Sequence, residues 1–251
     1  MIYFVGAGPG APDLITVRGK EKLGSADVVI SAGSLVNPAL LSYTKEGCTV
    51  YDSASMTLED VISVMLRASE EQKEIVRLHT GDPCIYGAIR EQMDLLDRHG
   101  LPYEVVPGVS SFIGAAAALR AELTLPDVSQ TVILTRMEGR TPVPEAEEIS
   151  RLAAHGATMV VFLSTTMLDE LKDRLIKGGY AADSPAAIVY KASWPDQKVV
   201  LTTVQDIARA ARENGIHKMA LIFVGGFLGD EYSRSKLYDP SFTHLFREAS
   251  K

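Results

Sequence analysis

Short runs of β-branched and aliphatic residues alternate with helical patterns along this chain, and that alternation restricts the fold more than any other feature. In the first half the strand candidates are residues 2–5, 27–30, 48–51, 74–79 and 103–106. Between them, residues 57–70 read as a helix. Thr57 and Asp60 have the spacing of a capping pair, and Leu58, Val61, Ile62 and Met65 supply an apolar face. Residues 87–99 read as another, with Ile89, Met93 and Leu96 inward and Gly100 just past its end. Strand–helix–strand alternation calls for a largely parallel sheet covered by helices, hence an α/β fold.

After V-P-G-V-S-S, an alanine-rich helix is expected over residues 112–121. A second set of strands follows at 131–135, 158–163, 186–190, 198–203 and 219–224. The third and fourth flank K-A-S-W-P-D-Q, where Pro and Asp favour a turn, so these two strands are expected to pair antiparallel. Thr203 with Asp206 marks a helix start, and Asn214-Gly215 its stop. The second half therefore reads as its own mixed α/β unit, joined to the first near residues 112–125. The expected domains are residues 1–117 and 118–251, and an enzyme of this kind keeps its site in the cleft between two such units.

Composition narrows the setting. The 251 residues suffice for one large or two small domains with a substantial core. No stretch reaches the ~20 apolar residues of a membrane helix. A strand begins almost at the N-terminus, which leaves no room for a targeting peptide. The two cysteines, Cys48 and Cys84, have no CxxC spacing, and the five histidines are scattered. No protein-bound metal is expected, and a reducing, cytoplasmic location is the natural reading. A net charge of −7 argues against nucleic acid as a partner but leaves an anionic small substrate open.

Three loops could carry chemistry. Residues 5–19, V-G-A-G-P-G-A-P-D-L-I-T-V-R-G, imitate a dinucleotide fingerprint, with Ala11 at the third glycine position. Pro9 and Pro12, however, remove N–H donors from the segment that should cradle a pyrophosphate. The acid expected at the end of the second strand is missing, and no G-K-[S/T] closes a Walker loop. A tight strand-to-helix turn that lets the backbone approach a ligand is the better reading. In R-L-H-T-G-D-P-C-I-Y-G (77–87), Thr80, Gly81 and Asp82 end a buried-type strand, where open α/β sheets bind ligands. Asp82 could accept hydrogen bonds from a ribose or an amine, or simply form an Asp turn with Pro83 starting the helix. In V-P-G-V-S-S (106–111), Ser110 or Ser111 could cap a helix, and no G-x-S-x-G elbow makes either a nucleophile.

Together these three segments resemble the tetrapyrrole methylases. T-V-I-L-T-R-M-E-G-R-T-P-V-P-E (131–145) and V-Y-K-A-S-W-P-D-Q (189–197) are similar, more specifically, to the precorrin-4 C11-methyltransferases of corrin synthesis. The resemblance covers essentially residues 1–230, in the expected order. It implies two α/β domains with mixed, largely parallel sheets, homodimeric pairing, and S-adenosylmethionine folded in the interdomain cleft. Carried over by motif, the cofactor contacts are Pro9, Thr80, Gly81, Asp82, Ile85, Tyr86, Ser110, Ser111, Leu163 and Ala192. A tetrapyrrole polycarboxylate as substrate implies basic partners: Arg136, Arg140 and Lys191, with Arg18 behind them. Gly8 would leave room for the macrocycle, Glu138 would orient a macrocycle N–H, and Trp194 would either stack on the substrate or pack locally. Methylation of another ring position, a nucleotide-dependent oxidoreductase, and a non-catalytic adenosyl-ligand sensor are the competing functions. No general base is identified.

Overall fold

The computed structural model of the chain describes residues 1–250. It contains two compact units: Met1–Ala115 with Lys191–Gln197, and Ala116–Tyr190 with the chain from Lys198 onward. The first break between the units falls after Ala115. The segment Lys191–Gln197 clusters with the first unit although the strands on either side of it belong to the second.

In the first unit, β1 (Ile2–Gly6), β2 (Val28–Ser31), β3 (Thr49–Asp52), β4 (Ile75–His79) and β5 (Tyr103–Val106) form one sheet in the order β3-β2-β4-β1-β5. Every pairing is parallel. Its helices are α1 (Val17–Ser25), α2 (Leu58–Glu70), α3 (Arg90–Arg98) and the start of α4 (Ser111–Leu119). The inner strands β1, β2 and β4 are buried on both faces, and their side chains alternate between two cores, whereas the edge strand β3 is largely exposed. Tyr3, Val5, Val29, Val76 and Leu78 pack with Leu23 of α1 and with Leu40. Ile2, Phe4, Ile30 and Ile75 pack with Val61 and Met65 of α2 and Leu96 of α3. Each side chain fully removed from water in this way contributes about 1.5–3 kcal/mol.

The expected capping pair of α2 is present. The Thr57 Oγ1 accepts the Asp60 N–H at 3.2 Å, and the Asp60 carboxylate accepts the Thr57 N–H at 3.0 Å. Helix α3 starts at Arg90, later than the sequence suggests and well after Pro83. Tyr86 and Ala88 sit at φ +55° and +49°, which no right-handed helix accommodates.

The chain leaving β1 enters α1 on one face, whereas the chain leaving its neighbour β4 enters α3 on the other. That divergence at the carboxyl edge is the topological switch point where α/β sheets bind ligands.

The second unit contains β6 (Val132–Arg136), β7 (Thr158–Phe162), β8 (Pro185–Tyr190), β9 (Lys198–Thr203) and β10 (Ala220–Val224), ordered β6-β7-β10-β8-β9. Here β6 and β7 are parallel and the other three pairings antiparallel. The antiparallel β8–β9 pair agrees with the expected turn. Helices α5 (Ile149–Ala153), α6 (Leu168–Lys177) and α7 (Ile207–Glu213) cover one face, packing on Met159, Val161, Ile188 and Ile222. Among the described residues, no helix is long and apolar enough to cross a membrane.

Candidate functional site

The three sequence motifs of the first unit leave the carboxyl ends of adjacent strands β4, β1 and β5, and their backbones touch. Ala7 N–H donates to the His79 carbonyl at 2.7 Å, and Gly8 and Gly81 exchange two hydrogen bonds at 3.2 and 2.9 Å. Contact is closest at Gly6 and Gly108. A Cβ on Gly6 would lie 2.5 Å from the Gly108 Cα, and one on Gly108 would lie 2.2 Å from the Gly81 carbonyl oxygen. Asp82 ties the motifs together. One carboxylate oxygen accepts the Cys84 N–H and the other accepts the Gly108 N–H, both at 2.8 Å. The Asp turn is therefore real, and it also bridges two loops.

The opening loop spends its donors on the protein itself. Besides Ala7 and Gly8, the Ala11 N–H donates to Ser193 Oγ at 2.9 Å and the Leu14 N–H to the Ala11 carbonyl at 3.1 Å. With Pro9 and Pro12 contributing no N–H, little of the loop remains to cradle a pyrophosphate. The glycines allow close approach of backbone instead. A Cβ on Gly114 of α4 would fall 2.5 Å from the Pro9 Cβ and 3.9 Å from that of Ala192, so Pro9, Ala192 and α4 meet at one point. Ser110 and Ser111 adjoin them. The Ser110 carbonyl accepts the Ile113 and Gly114 N–H groups that open α4, and the Ser111 N is 3.2 Å from where a Gly81 side chain would begin.

Beside this cluster the polar accounting is incomplete. Thr80 Oγ1 and His79 Nε2 are buried with no hydrogen-bond partner. Burial, then the nearby Arg77 cation, pushes the His79 imidazole down to about 3, so it is neutral. Arg77 itself is buried, donating to Gln92 at 3.2 Å and to the Ile30 carbonyl at 3.0 Å. Gln92 in turn donates to the Ala88 carbonyl at 3.0 Å, bracing the turn that carries Ile85 and the exposed Tyr86. An orphaned hydroxyl at the end of β4 fits a ligand with its own hydroxyl or amine groups, as an adenosyl cofactor has.

The remaining expected residues divide between the units. In the second, the adjacent carboxyl ends of β6 and β7 carry Arg136, Glu138, Arg140 and Leu163. Leu163 is 63 % exposed and held at φ +52°, an uncommon conformation for a large apolar residue. Next to it Ser164 is fully buried, donating to the Phe162 carbonyl and accepting the Met137 N–H at 2.8 Å. The Arg136 guanidinium donates to the carbonyls of Met137, Thr141 and Pro142 at 3.1, 3.2 and 2.8 Å, so it staples the loop that carries Glu138 and Arg140. Both of those are exposed, and Arg140 has no partner among the described residues. In the first unit, Arg18 pairs with Glu104 at 3.4 Å and Lys191 with Asp196 at 2.7 Å. Among the described residues, no group of three His, Cys, Asp or Glu converges as a metal site would require. Sequence reasoning missed Gly114, whose place inside an alanine-rich helix signals a close approach. It also missed Ser193 and Asn37, which carry no such signal.

The chain matches the family of Tetrapyrrole (Corrin/Porphyrin) Methylases over residues 1–208. It is 53 % identical to a cobalt-precorrin-4 C(11)-methyltransferase of Methanocaldococcus jannaschii, an alignment covering 100 % of this chain and 97 % of the relative. It is 44 % identical to a precorrin-4 C(11)-methyltransferase of Sinorhizobium, covering 98 % of each. A solved cobalt precorrin-4 methyltransferase superposes with a TM-score of 0.89 at 52 % identity, covering 91 % of this chain and 96 % of the other. A uroporphyrin-III C-methyltransferase of Thermus thermophilus, solved with S-adenosylhomocysteine, gives 0.76 at 26 % identity, covering 90 % of this chain and 98 % of that one. The family match spans most of the chain and the relatives align over nearly all of it, and the chain belongs to the tetrapyrrole methylase family.

Proposed function

We propose that this chain transfers a methyl group from S-adenosylmethionine to C11 of precorrin-4 or of its cobalt form. The observation that carries this reading is similarity at 53 % identity over the whole chain to a relative of that activity. The donor-poor opening loop supports it against a dinucleotide oxidoreductase, and the unpartnered Thr80 hydroxyl supports a bound ligand at the end of β4.

S-adenosylmethionine supplies a methyl group already activated on a sulfonium centre. The chain's residues then have to hold and orient. In this reading Pro9, Gly81, Asp82, Ser110, Ser111 and Ala192, with Thr80, Ile85 and Tyr86, are the cofactor contacts of the first unit; Leu163, in the second unit, is assigned by family resemblance. Orienting two reactants can lower a barrier by about 7–11 kcal/mol, so no strong general base is required. Apolar groups such as Leu163 and Tyr86 would keep water from the reacting atoms. Arg140 is the best-placed cation for a substrate carboxylate because its guanidinium is uncommitted. Arg18 and Lys191 would have to leave acidic partners first, and Arg136 acts through the loop it holds. Glu138 lies on that same loop. Two free cysteines suit a cytoplasmic enzyme, and homodimeric assembly belongs to the same reading.

Calorimetry and product analysis test this. S-adenosylhomocysteine should bind and NAD should not. Incubation with a precorrin-4-type substrate and S-adenosylmethionine should add one methyl mass, located at C11 by NMR. Binding of NAD, or a methyl at another carbon, would refute the assignment.

A further inference from the structure

The turn between β8 and β9 packs on the opening loop through Ser193 and Trp194, neither of which is among the cofactor contacts assigned above. Ser193 Oγ accepts the Ala11 N–H at 2.9 Å. Its own N–H donates to the Gln197 side chain at 2.6 Å, which fixes the serine within the turn. Trp194 covers Gly10: a Cβ there would lie 2.1 Å from the indole Cδ1, 2.3 Å from Nε1 and 2.8 Å from the Ala192 carbonyl oxygen. From the other side, the Asn37 amide donates to the Gly10 carbonyl at 2.9 Å. Residues Gly10 and Ala11 are thus held from two directions, and Pro9 just before them is seated on Gly114.

The turn's own backbone is strained. Lys191 and Ser193 adopt φ +46° and +64°, which cost non-glycine residues on the order of 1 kcal/mol or more each. The Lys191 ammonium pairs with Asp196 and lies 5.2 Å from the Trp194 ring centroid, bracing the indole. Strain of this kind persists where surrounding contacts fix it, and here those contacts converge on the segment Pro9–Gly10–Ala11.

We infer that Ser193 and Trp194 are positioning residues that hold the Pro9–Gly10–Ala11 segment in its cofactor-binding conformation. The inference rests on the proposed use of S-adenosylmethionine and extends it to residues that do not touch the reaction. Ser193 supplies the one acceptor for the Ala11 N–H, and Trp194 supplies a wall that only a glycine at position 10 can meet. Without the serine hydroxyl, the loop samples conformations that do not bind, and apparent affinity falls with the population of the competent one.

Trp194 is the single tryptophan of the chain, so its emission reports on this contact alone. The experiment titrates the full chain with S-adenosylhomocysteine, following tryptophan emission and calorimetric heat together. It compares the wild type with Ser193→Ala and Ser193→Gly. The glycine variant relieves the positive φ while still deleting the hydroxyl, so strain and hydrogen bond are separated. Expected are a change in Trp194 emission on binding and a loss of affinity on the order of fivefold in both variants, the worth of one hydrogen bond. Thermal midpoints should stay near the wild type, and Trp194→Phe, followed by calorimetry alone, is the second route. Wild-type affinity in all three variants, with emission unmoved by the ligand, would overturn the inference. Failure of the wild type itself to bind would overturn the proposed function and this inference with it.

Discussion

Both carboxylate oxygens of Asp82 accept backbone N–H groups, from Cys84 and Gly108, so in the proposed site its part would be to shape the floor. Asp82→Ala leaves the Gly108 N–H without an acceptor and should lower the unfolding free energy by about 2 kcal/mol, the scale of a hydrogen bond to a charged group. Urea denaturation measures this, and affinity for S-adenosylhomocysteine should fall in parallel. Lost affinity with unchanged stability would mean that Asp82 contacts the ligand instead. His79 makes a second prediction three residues earlier. Burial first, then Arg77, depresses its pKa from 6.5 to about 3. The unfolded chain therefore takes up a proton below about pH 6.5 that the folded chain refuses until about pH 3. Its contribution is fully present above that window and is lost progressively as pH falls through it, reaching about 2 kcal/mol by pH 5. His79→Leu should lose less stability between pH 7 and 5 than the wild type. Equal losses would place the imidazole in contact with water.

At the scale of elements, strand ends matter more than strands. The Gly108 Cα lies against the Gly6 and Gly81 backbones where β5, β1 and β4 end, and a Cβ there would stand 2.2 Å from the Gly81 oxygen. Gly108→Ala must separate these loops. It should cost about 1–3 kcal/mol and abolish binding of S-adenosylhomocysteine. Gly47→Ala is the contrast: its φ is +80° but nothing lies within 4 Å, so stability should drop while affinity is retained. Retained affinity in Gly108→Ala would show that the three loops can part without harm. The strands themselves were legible, because Ile-Val-rich runs between turn residues have few alternatives. So were the Thr57–Asp60 cap and the antiparallel β8–β9 pair, each carried by local chemistry. Helix α6 was missed although Leu168, Leu171 and Leu175 have helical spacing, because Met167 gives no capping bond to mark its start. The buried Arg77–Gln92–Ala88 chain could not be read at all. An arginine in a strand looks like a surface residue until the topology places β4 between two neighbours.

For the whole molecule, charge poses the sharpest question: a chain of net charge −7 is proposed to take a polycarboxylate. Of its candidate cations, Arg18 and Lys191 are opposed by Glu104 and Asp196, and Arg140 shares its loop with Glu138. On the proposed function the net charge should repel an approaching polycarboxylate at long range, with attraction from the Arg140 guanidinium only at close range. These two parts respond differently to salt. The screening length shortens from about 30 Å at 0.01 M to about 8 Å at 0.15 M, which removes distant repulsion while leaving close pairs largely intact. Raising ionic strength across that range should increase kcat/KM for the tetrapyrrole and leave the S-adenosylhomocysteine Kd nearly unchanged. Arg140→Ala should raise the tetrapyrrole KM with the same cofactor affinity, because it removes the close attraction. A fall in kcat/KM with salt in the wild type would mean that a basic funnel dominates the approach. The local cations would then outweigh the net charge.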